Sequence, residues 1–182
     1  IILGMGMPTT AIYLLVATLA APPLIKLGVN PLAAHMFVFY FGLVSLITPP
    51  VAIAAFVAAN LAGSRPMETA VQAVRLGWTA LVVPVMFVMS PSLIMQGRAM
   101  EVLIAAVTAF AGVWIATAGV LGYFFQPMRW PIRIAYLAAG LSLMVPSEAF
   151  RGAIFLEVAG LVLAVVVVGG EFLSTRRRLE PA

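Results

Sequence analysis

The amino-acid sequence predicts an all-α polytopic membrane protein, and three observations carry that prediction. Of its 182 residues, 64% are hydrophobic and only 9% charged, with a mean hydropathy of +1.15. Soluble domains carry about a quarter charged residues, so a chain this poor in charge cannot cover a water-facing surface. Second, the apolar residues form long runs, the clearest from Val102 to Phe125 without a single charge. Third, the ten Lys and Arg residues stand scattered between those runs. Membrane orientation therefore explains the net charge of +4 and the pI near 10.1, and no nucleic-acid partner is expected.

Composition also removes several chemistries. There is no cysteine and His35 is the only histidine, which excludes disulfides, thiolate nucleophiles and Cys- or His-rich metal centres. The sequence opens at Ile1 inside an apolar run, without an initiator Met or a charged leader segment. It is therefore expected to be a piece of a longer protein rather than to begin with a signal peptide.

The elements follow in order. Gly4-Met5-Gly6-Met7-Pro8-Thr9-Thr10 cannot be a helix interior, so a first helix starts near Thr9 or Thr10 and is expected to stop at about Ala21, before Pro22-Pro23. That is roughly 12–14 residues or 20 Å, too short for a core of about 30 Å, and fits a re-entrant half-helix. Lys26 to Pro31 is a turn at the membrane surface. The uncharged run Met36 to Ser64 is interrupted by Ser45-Leu46-Ile47-Thr48-Pro49-Pro50, which makes it one discontinuous transmembrane helix of two halves, each roughly 14 residues long. Arg65 to Arg75 puts Met67, Val71 and Val74 on one face and Glu68, Gln72 and Arg75 on the other, the pattern of an interfacial helix, with Ser64 as its cap and Pro66 in its first turn. About four further transmembrane helices are expected at 77–96, 102–125, 131–147 and 152–171, the third with Arg133 snorkelling beside Trp130. Gly112, Gly119 and Gly122 suit close helix packing.

If the C-terminus is cytoplasmic, Arg65, Arg75, Arg129, Arg133 and Arg176 to Arg178 fall inside, and Lys26, Arg98 and Arg151 outside. This threading requires 32–63 to cross fully. A hairpin at 32–63 is disfavoured because it would make the short first helix cross.

Both interruptions put irregular backbone near mid-membrane, where it is tolerated only inside protein or along a cavity. Discontinuous helices at that depth are the recurring substrate and ion sites of secondary transporters. The first interruption offers the N-terminus of a helix with the Thr9 and Thr10 hydroxyls beside it, a setting that favours an anion. The second offers oxygens: Pro49 and Pro50 lack the N–H groups that would bond the Ser45 and Leu46 carbonyls, which are therefore expected to be free, and Ser45 and Thr48 add hydroxyls. Neutral oxygens suit a hard monovalent cation. The plain alternative is a proline kink and a close-packing glycine; two such breaks in adjacent elements favour the functional reading.

Gly4-Met5-Gly6-Met7-Pro8-Thr9-Thr10-Ala11, followed by Gly28-Val29-Asn30-Pro31 and Ile47-Thr48-Pro49-Pro50-Val51-Ala52, resembles the large permease subunit of tripartite ATP-independent periplasmic (TRAP) transporters, most closely the branch with fused permease subunits. The resemblance covers residues 1–97, the C-terminal part of the transport domain; residues 98–182 look like the C-terminal extension of the fused branch, with about three transmembrane helices and a basic tail. It implies an inverted-repeat, elevator-type transporter of the bacterial inner membrane. Gly4 to Thr10 would be a hairpin tip and Ser45 to Ala52 the unwound loop of a broken helix. The implied cation (Na⁺) ligands are Ser45, Leu46, Thr48, Pro49, Pro50, Val51, Gly4 and Met5, with Gly6, Thr9 and Thr10 on the substrate-anion side. Many relatives carry an acidic residue near the hairpin tip and this sequence has none, so a cation here would rely on carbonyls and hydroxyls.

What the resemblance implies is import of an organic anion, a C4-dicarboxylate or other carboxylate, by sodium symport. No cofactor is expected beyond Na⁺ as coupling ion. The expected partners are a periplasmic substrate-binding protein, a small permease subunit or fused N-terminal helices, and membrane lipid. Sodium is favoured over protons because Glu68, Glu101, Glu148, Glu171 and Glu180 lie near predicted boundaries or in the tail, Glu157 is interfacial and His35 sits at an edge. Two rivals remain: a non-catalytic membrane scaffold, and an intramembrane enzyme, for which no catalytic set is visible.

Overall fold

A computed structural model describes residues 6–146, 149 and 152–179, with side chains as far as Phe172. Among them there is no β-strand, only an isolated bridge between Tyr123 and Pro127. The chain divides into two compact units, Ile1–Ile94 and Met95–Ala182. The first contains α1 (Thr9–Lys26), α2 (Pro31–Val44), α3 (Ile53–Ala62), α4 (Pro66–Leu76), α5 (Thr79–Met89) and a closing 3-10 turn, Pro91–Ile94. The second contains α6 (Ala99–Leu121), α7 (Trp130–Met144) and α8 (Ala153–Leu179).

The first helix corrects the sequence reading. It does not stop at Ala21 but carries Pro22 and Pro23 inside an 18-residue helix. Proline's fixed φ is helical; what it forfeits is one bond to the preceding turn. Just upstream, the Thr18 hydroxyl turns back onto the Leu14 and Leu15 carbonyls, each at 2.9 Å. Beyond the prolines the helix closes normally, with Leu27 N–H on the Pro23 and Leu24 carbonyls. At about 1.5 Å per residue, α1 is roughly 27 Å long. Its length therefore gives no support to a re-entrant half-helix, and the objection that this helix is too short to cross is lost.

A four-residue turn returns the chain into α2. Asn30 caps that helix, its side chain accepting the Leu32 N–H at 2.9 Å, and Pro31 fills the first position. The two helices therefore run antiparallel, sealed by the edge-on pair Tyr13–Phe39 and by a bond between Tyr13 Oη and His35 Nδ1 at 3.1 Å.

The interruption between α2 and α3 is present as expected, although α3 is only 10 residues long before Gly63 ends it at φ 63. Neighbouring helices pack side by side in the pairs α1/α2, α2/α5 and α3/α4, whereas α2 and α3 do not. The broken pair is thus no hairpin. α4 buries Ala70 and Ala73 against Ala52, Ala55 and Phe56, leaving Met67 and Val71 exposed. Ser64 is not its cap: Arg65 holds that position, and the Ser64 hydroxyl pairs with Thr69 Oγ1 at 2.9 Å. Only Gly77 and Trp78 separate α4 from α5, and Pro66–Met89 together is long and apolar enough to cross a membrane. The helix expected to end near 96 stops at Met89, because Ser90 adopts extended backbone ahead of Pro91.

In the second unit, Gly112, Gly119, Gly140 and Gly160 lie at helix crossings. α6 starts at Ala99, where the Glu101 carboxyl accepts the Arg98 N–H at 3.0 Å, and ends earlier than expected at Leu121, where Gly122 turns left-handed at φ 78. Small residues meet inside, while Leu103, Val107, Phe110, Phe155, Val162 and Val166 stay exposed. That inverted pattern is how helices pack in hydrocarbon, where burying Leu against protein gains nothing over lipid. By length and composition Thr9–Lys26, Pro66–Met89, Ala99–Leu121 and Ala153–Phe172 can each cross a membrane.

A Cβ at position 140 would lie 2.6 Å from the Gly112 carbonyl oxygen, a backbone atom that cannot yield. Gly140→Leu is expected to destabilise the second unit by about 1–3 kcal/mol. Gly169→Ala, where an added methyl meets nothing within 4 Å, is expected to leave stability unchanged. Thermal unfolding of the purified protein in detergent checks the contrast.

Candidate functional site

The site is built from the start of α1 and the end of α2. Gly6 at φ 81 takes the backbone through the left-handed region, and Pro8 then sets the cap of α1 with an extended ψ of 148. The first intrahelical bond is Ile12 N–H to the Pro8 carbonyl at 3.0 Å. No side chain caps this end, so the first-turn N–H groups, starting at Thr9 and Thr10, point out of the helix without intrahelical acceptors. Both threonines are exposed in the chain. Gly4 and Met5 lie outside the described residues.

α2 ends by tightening. Ser45, Leu46 and Ile47 bond three residues back, to the Gly42, Leu43 and Val44 carbonyls. Pro49 and Pro50 then prevent the helix from continuing. The Ser45 hydroxyl, buried at 1% exposure, donates to the Gly42 carbonyl at 2.6 Å, and the half-buried Thr48 hydroxyl donates to the Val44 carbonyl at 2.7 Å. Both hydroxyl protons are thus committed to backbone carbonyls. The Leu46 carbonyl is not free, contrary to expectation. It accepts the Ala54 N–H at 3.0 Å, an otherwise orphaned donor from the first turn of α3. The Thr48 carbonyl likewise accepts the Ala52 N–H at 3.2 Å. Ala52 itself is left-handed at φ 36, uncommon for a residue with a Cβ, and it is held there fully buried against α3 and α4.

The two interruptions lie at the same end of the α1/α2 pair. Antiparallel packing brings Ile12, one turn into α1, onto Gly42, one turn before the α2 break; a Cβ on Gly42 would sit 2.6 Å from Ile12 Cγ2. Met7 and Leu46 pack on one apolar cluster, Ile12, Val16, Ala21 and Val38. Ile47 reaches the other way, to Gly77 at the joint between α4 and α5, where a Cβ would lie 2.9 Å from its Cδ1. Gly6, Thr9 and Thr10 and the segment Ser45 to Val51 are thus gathered at one end of the bundle. None of these side chains is ionisable.

Sequence reasoning missed three features. Gly42 and Gly77 give no local signal; only the approach of another helix shows their purpose. Ser90 and Ser92 flank Pro91 and are almost wholly buried at the end of α5. Glu171, expected at a span boundary, is 6% exposed inside α8. Alongside the α1/α2 pair, a cavity of about 280 Å³ is lined by Tyr13, Leu32, His35, Met36 and Phe39.

An all-helical protein with several helices long and apolar enough to cross a membrane, and two shorter apolar helices separated by a break, has the build of a membrane carrier. Residues 1–102 match the family model of the tripartite ATP-independent periplasmic transporter, DctM component, and the chain belongs to that family. No curated protein matches the chain, and neither does any solved structure.

Gly42 lets Ile12 of α1 seat against α2 one turn before the break. Gly42→Leu is expected to push α1 off α2 and to lower uptake by the full-length permease by about tenfold or more, within the range of a 1–3 kcal/mol overpacking penalty. Uptake assays at matched membrane expression provide the measurement.

Proposed function

We propose that this chain is the part of a secondary active permease that forms its cation and anion sites, importing an organic anion, a C4-dicarboxylate or other carboxylate, by sodium symport. A periplasmic substrate-binding protein delivers the anion. The reading rests chiefly on the meeting of two unlike ends at one place: the N–H groups of a helix start and the oxygens of a helix break.

Chemistry divides the roles. The start of α1, with Thr9, Thr10 and Gly6, favours negative charge through its outward N–H groups and helix dipole. The Ser45 to Val51 loop favours a cation: Ser45 and Thr48 hydroxyl oxygens with their protons turned away, and the carbonyls of the loop including the second lone pair of Leu46. Gly4 and Met5 carbonyls complete the cation's surroundings in this proposal. A set of neutral oxygens gains more from Na⁺ than from a proton, which needs a basic atom. Binding both ions at one place makes each stabilise the other, the thermodynamic core of symport.

Membership of the family supports the transporter class and the binding-protein partner. The inner bacterial membrane, a cytoplasmic C-terminus, a small permease subunit or fused N-terminal helices, and elevator-type motion belong to the same proposal. So does a functional division of the chain near residue 97.

Thr48→Val keeps the branched shape and removes the hydroxyl. In the full-length permease it is expected to raise the sodium concentration for half-maximal uptake about tenfold, the equivalent of one lost polar ligand. Ser45→Ala is expected to act in the same direction, and Thr9→Val with Thr10→Val to weaken the anion more than sodium. Unchanged sodium dependence in Thr48→Val and Ser45→Ala would remove the cation assignment and leave the prolines as structural kinks.

A further inference from the structure

Among the described residues Glu171 is the one buried carboxyl group, and it belongs to none of the machinery above. It projects from α8 toward the reversal between α6 and α7. Its Oε1 accepts the backbone N–H groups of Phe125 and Gln126, both at 3.2 Å, while Oε2 accepts the hydroxyl proton of Tyr136 from α7. Tyr136 is wholly buried. One side chain thereby joins α8, α7 and the turn before α7.

The reversal needs such a partner. α6 ends at the left-handed Gly122, and the chain folds back through the Tyr123–Pro127 bridge, with Met128 N–H on the Gly122 carbonyl at 2.8 Å. Helical pairing is suspended here, so carbonyls and N–H groups need partners from elsewhere. Arg133 takes the first kind, donating from Nε to the Gly119 carbonyl at 3.1 Å and from Nη2 to the Val120 carbonyl at 2.8 Å, with its guanidinium 5.5 Å from the Trp130 ring centre. Glu171 takes the second kind. A guanidinium on carbonyls and a carboxyl group on N–H groups together staple the turn. Phe125, carrying one of those amides, packs edge-on against Phe124 and tilted against Phe172, and with Phe172, Ile115, Leu143 and Val168 it lines an apolar cavity of about 490 Å³.

We propose that Glu171 is a polar latch: by accepting the Phe125 and Gln126 amides and the Tyr136 hydroxyl it clamps the α6–α7 reversal onto α8 and holds Phe125 at the wall of that cavity. The latch acts through hydrogen bonding and not through the volume of the side chain.

Amide hydrogen exchange on the full-length protein in nanodiscs tests this. Glu171→Met preserves bulk and apolarity but removes every acceptor; exchange at Phe125 and Gln126 is expected to rise at least tenfold while mid-helix amides of α6 and α7 keep their protection. Glu171→Gln retains an acceptor oxygen and is expected to restore most of the protection. Parent-like exchange in Glu171→Met, or equal loss in the Met and Gln variants, would overturn the latch. Should Glu171→Met fail to fold, a double-mutant cycle of Glu171→Gln with Tyr136→Phe decides. Coupled effects on turn protection are expected, and strictly additive ones would refute the proposal.

Discussion

A peptide group in hydrocarbon has no water to bond, so every departure from helical backbone must bring its own partners. Each irregular stretch of this chain can be read as an answer to that demand. At Pro22 and Pro23 the helix simply continues and accepts the loss of two bonds, with the Thr18 hydroxyl turned onto carbonyls one turn earlier. Between α2 and α3, tightened turns, two hydroxyls and the Ala54-to-Leu46 bond take up most of the slack. At the α6–α7 reversal the chain spends an Arg and a Glu on one turn. The start of α1, like those of α3, α5 and α7, carries no side-chain cap.

Packing in this setting is governed by approach distance rather than by apolar burial. Gly112 and Gly140 let α6 and α7 touch through backbone, and Gly160 does the same for α8 on α7. Large side chains remain outside, where they lose nothing by facing lipid. The same economy shapes the candidate site. Gly42 admits Ile12 and Gly77 admits Ile47, so the segment around the break is gripped from α1 on one side and from the α4–α5 joint on the other. A buried left-handed Ala52 shows that this grip is firm enough to hold backbone in a sparsely populated conformation.

Much of this was legible in the residues. Proline pairs mark where backbone bonds go missing, and Thr48-Pro49-Pro50 correctly located the interruption between α2 and α3. The same rule failed at Pro22-Pro23, because a proline pair breaks a helix only when the following residues have a better alternative; Leu24 to Lys26 remained helical. Ser64 looked like a cap by residue type, yet Arg65 occupies the cap position. Glu171 looked peripheral because a carboxyl near a run's end usually is; its partners come from residues 35 to 46 positions away, beyond the reach of any local pattern. The Leu46 carbonyl illustrates the same limit from the other side, since its partner Ala54 lies across the break.

The amino-acid sequence by itself determined the solvent, the helical class, the interruption at 45–52 and the irregular start before Thr9. These follow from composition and from proline and glycine chemistry, which act within a few residues. Tertiary structure decided how far α1 extends, that the two interruptions share one end of the bundle, which carbonyls keep a lone pair, and that Glu171 turns inward. Those outcomes depend on contacts between segments distant along the chain, where glycine sets the distance of approach and a buried polar atom must find whichever partner the fold brings near.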